Sequence, residues 1–594
     1  MPGLEDVKVH YVDDVATAQE FMSWLGEDRN RSVLAYDLET TGLRPESMRI
    51  RLAQFGDAVH GWAIPYERWG GVALEALKKY QGPLVGHNIQ FDYRFTKASE
   101  PSWEIPWART HDTMIMGQCL NPARPNGLKP LAGTYVDREA AAGQDILHNY
   151  MKVNKLTWET IPVDNQYYWM YGALDTVLTY HLYENFAPKI AARCPDAYDL
   201  EMAVYRVCAN MMMHGVKVDL DYSKVKMDEL SEYASQLKAW CQENFNIENP
   251  NSNIQLVCFL RDQGYGETLL KLDERSGQMK ESVDKEVLEM IDHPIADAVL
   301  KYRKATKICS AYFKNFFEFA DVNNYIHSSI RTQEARTTRM SIAEPSFQNL
   351  PKRDKVVRNA ILPDDGTVFI STDADQVELR IMAHFANDAG LKAAFESDQD
   401  FFCALASEIY NEPIDQEDPR RQLVKNRTYA KNYGAGDEKI AKTNRVPLAN
   451  VKDINRRIDE RFPGINKFMD DTLQQVIANK REFGYGFVKS YGGRQIPVKD
   501  DKDYVGVNYV IQSWAAACFK RAVVDLDAAG YGEYLRIPVH DEMLTAVPRE
   551  HLEQALVEIP RIMTASTQGE FLVPLTYSSN ALKGAWGGRE LVAA

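Results

Sequence analysis

The residues from Val368 to Arg380, VFISTDADQVELR, restrict what this chain can build more than any other stretch. Val368-Phe369-Ile370 is a short apolar run after the turn signal Asp364-Asp365-Gly366, which predicts a buried β-strand. Asp373 and Asp375 follow, and the apolar spacing of Val377, Leu379, Ile381 and Met382 begins a helix. Two carboxylates therefore stand where a strand hands over to a helix. Such an edge is exposed enough to hold a hard cation and rigid enough to aim it. A turn or helix-capping role is the plainer alternative for either acid.

A second acid stands in a matching setting downstream. Leu535 to Thr545, LRIPVHDEMLT, is an apolar strand pattern broken by His540-Asp541-Glu542, which fits a hairpin tip. Asp373 and Asp541 are expected to flank two divalent ions about 3.5 to 4 Å apart, an arrangement that activates a hydroxyl and stabilises a leaving pyrophosphate. Between them lie Arg421, Lys425, Tyr429 and Tyr433, each four residues after the last, and then Gly434 and Gly436. At 3.6 residues per turn the set drifts only ~40° per step, so one broad helix face carries all four until the glycines end it. Cations on that face suit a triphosphate, and a ring further along suits a sugar and base. A solvated basic face is the alternative.

In the order TDADQVELR, RQLVKNRTYAKNYG and VHDE, these segments resemble motifs A, B and C of family A DNA polymerases, the DNA polymerase I type. Arg331 to Pro351 resembles the primer-template segment before motif A, and FVKSYGGRQIP with NYVIQSWAAACFK resembles the stretch before motif C. The resemblance spans most of residues 201 to 594. It implies that Asp373, Asp541 and the carbonyl of Ala374 hold metal, with Glu542 in support and Lys425 acting on the triphosphate. It implies nucleotide contacts from Arg421, Lys425, Tyr429, Tyr433, Gln376, Glu378 and Arg339, with Glu378 as a steric gate beneath the sugar. DNA contacts are implied for Arg331, Gln348, Asn349, Arg358, Arg494, Asn508, Gln512 and His540. Ala374, Asp375, Phe402 and Tyr429 depart from common family residues, and Phe402 replaces a histidine near the triphosphate.

Residues 1 to 190 form another unit. Ser32 to Tyr36 predicts a strand leading into Asp37-Leu38-Glu39, and alternating Met48, Ile50 and Leu52 predict an antiparallel neighbour. A bend is expected to bring Asp37 and Glu39 together. His87 to Asp92, and Tyr171 to Asp175 in a helix, complete an order that resembles DEDD exonucleases with a tyrosine, the proofreading domain of the same polymerases. By that resemblance Asp37, Glu39, Asp92 and Asp175 hold two metals and Tyr171 orients the attacking water.

The expected fold is therefore α/β and α+β, multidomain: an RNase H-like 3′-5′ exonuclease domain (1–190) followed by a right-hand polymerase. Its parts are a thumb (201–325), a palm in two pieces (326–395 and 501–594) and fingers (396–500). The basic run Lys301, Arg303, Lys304 and Lys307 resembles the thumb grip on duplex, with a solvated face as the even alternative. At 594 residues the chain has length for about four domain-sized units. The net charge of -15 opposes nucleic-acid binding only on average, since local patches decide. No apolar run approaches ~20 residues, no leader is read, and eight cysteines without a CxxC pair suggest a reducing, cytoplasmic setting without zinc.

The expected cofactor is Mg²⁺, two per site, with Mn²⁺ fitting the same oxygens. Expected partners are primer-template DNA and dNTPs. A helicase or processivity factor stays unidentified, no membrane is involved, and the chain is expected to be a monomer. The lack of a preceding 5′-nuclease segment suggests a phage-like or trimmed member. A nuclease whose second half only binds DNA, a relative of single-subunit RNA polymerases, and a non-catalytic DNA-binding protein are the other readings. Intact Asp373, Lys425 and Asp541 argue against the first, Glu378 with the exonuclease motifs against the second, and two carboxylate sets against the third.

Overall fold

The computed structural model describes residues 6–27, 33–273, 276–332, 334–352, 354–396, 400–432, 436–444 and 446–590, with backbone alone for 429–432. Tyr433 and the side chain of Tyr429 lie outside the described residues.

The N-terminal unit is built on a six-stranded sheet. Its strands are β1 (Lys8–Tyr11), β2 (Leu34–Thr40), β3 (Ile50–Gly56), β4 (His60–Pro65), β5 (Leu84–Gly86) and β6 (Thr110–Asp112), in the order β1-β4-β3-β2-β5-β6. The β2–β3 and β3–β4 pairs are antiparallel and the other three are parallel. No bend joins Asp37 to Glu39: residues two apart on a strand already share a face, and the register shifts only after Glu39. On the sheet lie α1 (Ile89–Ser99) and, with α2 (Leu128–Tyr135) packed against it, the long α3 (Gln166–Arg193). The Asn165 side chain caps α3 by accepting from the N–H groups of Tyr167 and Tyr168. Glycines bring this helix close: a Cβ on Gly56 or Gly61 would overlap the Thr176 side chain or the Ala173 carbonyl.

Helix α4 (Pro195–His214) ends at Gly215, whose φ of 77° suits glycine. It serves two cores at once. Tyr198, Tyr205 and Ala209 pack into the N-terminal unit, while Val204, Val207, Cys208 and Met211 pack into the large core of the remainder. Helices α5 (Leu220–Phe245) and α6 (Pro294–Ile308) enclose a smaller core around Leu256, Leu260, Val287 and Val299. The ends of the 201–325 stretch, at Val204 and Phe316, belong to the large core instead.

That large core holds β7 (Thr367–Ala374), followed after two residues by α7 (Val377–Ala386). Next come α8 (Phe401–Tyr410), α9 (Pro419–Asn432) and α10 (Gly506–Leu526), then β8 (Leu535–Val539), β9 (Glu542–Pro548) and β10 (Tyr577–Ala581). The sheet order is β8-β9-β7-β10, antiparallel throughout. Phe369 and Ile370 are fully buried, each contributing about 1.5–3 kcal/mol of apolar burial. Their alternation carries Asp373 to the rim, paired in register with Glu542 on one side and Ser578 on the other. Among the described residues no helix is long and apolar enough to cross a membrane.

Candidate active sites

The first site forms at the open end of the C-terminal sheet. Asp373 is the penultimate residue of β7, and Asp541 sits in the two-residue tip between β8 and β9. The Ala374 N–H donates to the Asp541 carbonyl at 3.2 Å, which ties strand end to hairpin tip. Desolvation, then the charges of Asp541 and Glu542, raise the Asp373 carboxyl to about 6, and desolvation raises Asp541 as well. Two neighbouring carboxylates that burial makes costly to ionise are suited to a shared cation. Ser371 Oγ donates to Glu542 Oε1 at 2.6 Å, so this buried acid is held from below.

His540 and Gln376 both adopt positive φ, 60° and 53°. The first turns the hairpin and the second starts α7, where the Gln376 Oε1 atom is buried without a hydrogen-bond partner. Glu378, in the first turn of α7, pairs with the Arg339 guanidinium. Arg339, Val377, His540 and Asp541 line one small cavity. Gln348 is partly spent on the backbone, donating to Met340 and Pro538 carbonyls at 3.1 and 3.0 Å. Asn349 donates to Ser346 Oγ. Asn508 and Gln512 stand one turn apart on α10.

On α9, Arg421 makes a two-pronged pair with Asp400, at 2.8 and 2.7 Å. Both cations lie over the Phe402 ring, Arg421 6.0 Å and Lys425 5.5 Å from its centre. These contacts hold both cations on the same side of α9.

Three expected DNA contacts are engaged by side chains of the protein itself. Arg494 is turned inward, donating to Glu201 Oε1 at 2.6 Å, and shares that oxygen with Lys520. A charge this buried is held by its partner and is unavailable to phosphate. Arg358 is buried with its guanidinium 4.1 Å from the centre of the Trp586 ring. Arg331 pairs with Glu334 and lines a cleft of about 880 Å³ between the N-terminal unit and the body, facing Leu43, Asn88, Arg94 and Arg124. Of the cations expected to grip duplex, Lys301 pairs with Asp297 and Lys304 with Asp354.

The second site lies on the N-terminal sheet. Asp37 and Glu39 come from β2, Asp92 from the first turn of α1, and Tyr171 with Asp175 from one face of α3. Asn88, at φ 66°, begins α1 and turns Asp92 inward. Desolvation raises Asp37 to about 7 against the opposing pull of Lys129. Desolvation and the Asp37 charge push Glu39 and Asp92 well up. Asp92 Oδ1 is buried without a hydrogen-bond partner. Oxygen donors crowded this way fit a hard divalent cation. Among the described residues, however, no three acid, imidazole or thiolate groups converge on one point as they stand. Lys129, which no sequence motif marked, donates to Asp175 and lies 4.6 Å from the centre of the Tyr171 ring. Its signal was faint: a lone lysine in an apolar eight-residue helix, LKPLAGTY.

Comparison with known proteins identifies two domains. Residues 220–586 match the profile of DNA polymerase family A, and residues 11–191 that of the 3′-5′ exonuclease family. The chain is 27% identical to the DNA polymerase of Mycobacterium phage D29, covering 92% of this chain and 91% of the relative. It is 26% identical to DNA polymerase I of Chloroflexus aurantiacus, covering 97% of this chain but 63% of that longer protein. The POL domain of Pol1 from M. smegmatis, solved in complex with DNA primer-template and dNTP, superposes with a TM-score of 0.80 at 21% identity, covering 98% of this chain and 100% of that one. Family match and fold together identify the chain as a member of DNA polymerase family A, a DNA polymerase that carries a 3′-5′ exonuclease domain ahead of its polymerase domain.

Proposed function

We propose that Asp373 and Asp541 form the centre at which a primer 3′ end is extended on template DNA, and that Asp37, Glu39, Asp92, Asp175 and Tyr171 form the centre that trims it. The observation that carries the first assignment is the tie between a strand-end carboxylate and a hairpin-tip carboxylate, with the Asp541 charge adding to the cost of ionising Asp373. Divalent cations, Mg²⁺ or Mn²⁺, would be held by these carboxylates and the Ala374 carbonyl, polarising phosphate and lowering the pKa of the attacking hydroxyl or water. Arg421 and Lys425 face the triphosphate from α9, and Glu378 with Arg339 sits against the sugar. Asn508 and Gln512 read the minor-groove side, and His540 meets the primer end. In the trimming site, Tyr171 orients water against the last phosphodiester.

In this reading residues 1–190 trim, 201–325 grip duplex, 326–395 with 501–594 carry the extension centre, and 396–500 deliver the nucleotide. Its substrates are primer-template DNA and dNTPs, and its setting is a bacterial cytoplasm, supported by the phage relatives. A labelled primer-template with Mg²⁺ tests it. Wild type should extend with dNTPs and shorten without them, while Asp541→Ala should lose extension and keep shortening. An Asp541→Ala chain that still extends refutes the assignment.

A further inference from the structure

Lys129 stands among the trimming-site acids with no role in the reading above. It is the second residue of α2 and is buried beside Leu131 and Ala132. Its ammonium donates to Asp175 Oδ1 and lies 4.6 Å from the centre of the Tyr171 ring. Tyr171 and Asp175 are one turn apart on α3, so a single ammonium spans both. The same charge acts on Asp37 and Glu39 from β2. A buried lysine is ordinarily satisfied by one acid; this one also covers the ring of the residue assigned to orient water.

We propose that Lys129 is a positioning residue of the exonuclease site, its ammonium clamping the Asp175 carboxylate and the Tyr171 ring across one turn of α3. This rests on the assignment of Asp37, Glu39, Asp92, Asp175 and Tyr171 to the trimming reaction. The clamp has a second effect. A fixed cation among carboxylates weakens their attraction for other cations, so removing it tightens divalent binding while loosening the tyrosine. General damage to packing would weaken both.

The test uses the full chain with Lys129→Met, which keeps length without charge, and Lys129→Arg, which restores charge. Single-turnover shortening of labelled single-stranded DNA should slow about 10–100-fold in Lys129→Met with DNA affinity unchanged, and recover in part in Lys129→Arg. Calorimetric titration with Mn²⁺ should show about tenfold tighter binding in Lys129→Met, measured in an Asp373→Ala/Asp541→Ala background that leaves one acid cluster. Primer extension by the single variants reports that the chain has folded. An unchanged shortening rate, or an Mn²⁺ affinity that does not rise, overturns the proposal. Asp92→Ala separates the two levels: if that variant shortens DNA like wild type, the exonuclease assignment itself is wrong, and if it is inactive while Lys129→Met is normal, only the clamp is lost.

Discussion

Glu378 is held where it stands. Its side chain is 12% exposed and its carboxylate is paired with Arg339, so it has little freedom to swing aside for a 2′-hydroxyl. In the proposed role of Glu378 as the gate beneath the sugar, Glu378→Ala should lower the ratio of kcat/KM for deoxyribonucleotide over ribonucleotide by about 10–100-fold. Arg339→Met, which frees the gate without removing it, should move the ratio the same way by less. Single-nucleotide extension with each sugar at one template position measures both, and an unchanged ratio in Glu378→Ala would remove Glu378 as the gate. The Tyr429 hydroxyl gives a companion prediction from the sequence. If it stands in for a missing 3′-OH, Tyr429→Phe should raise discrimination against dideoxynucleotides in the same assay.

At the scale of elements, the N-cap of α8 joins two functions in one acid. Asp400 caps α8 by accepting from the Cys403 N–H, and its other bonds hold Arg421 on α9. The Arg421 pairing draws the Asp400 carboxyl down to about 2. A folded-state pKa below the ordinary ~3.9 of aspartate means a stabilising contribution that is complete above about pH 4 and fades as pH falls toward 2. Asp400→Asn keeps the cap, since asparagine caps as well as aspartate, and deletes only the charge. The thermal stability gap between wild type and Asp400→Asn should therefore be open at pH 6 and narrow between pH 4 and pH 3. A gap constant with pH would assign the contribution to the cap alone. The elements themselves were legible because their causes are local: an apolar run then acids gave β7, and a polar interruption gave the β8–β9 tip. Lys129 and Arg494 were not legible, because what fixes them is distant in sequence. The partner of Lys129 is 46 residues away, and the partner of Arg494 is 293 residues away. An arginine beside a motif reads as a phosphate contact until a buried acid from another part of the fold claims it.

Across the whole molecule, that buried acid ties the helix shared by the two cores to the polymerase core. Glu201 lies on α4, the helix whose residues enter both cores, and its Oε1 accepts from Arg494 and from Lys520 on α10 at 2.6 Å each. All three side chains are nearly inaccessible, and Lys520 donates a further bond to the Thr332 carbonyl. A helix shared this way cannot leave one core without opening the other, so heat should unfold the exonuclease and polymerase cores in a single transition. The α5–α6 unit has a core of its own, although Leu230 of α5 and Ile308 of α6 also pack into the large one. Glu201→Ala strands two buried cations and should cost about 3–5 kcal/mol, the usual penalty for removing one partner of a buried pair. Because the loss falls on the shared helix, it should lower the joint transition as one event and not split it. Differential scanning calorimetry, with loss of DNA shortening for the exonuclease unit and loss of primer extension for the other, follows both cores at once. Two transitions in wild type, with extension lost well before or after the exonuclease unit melts, would show that α4 does not couple them and that the triad only fills space.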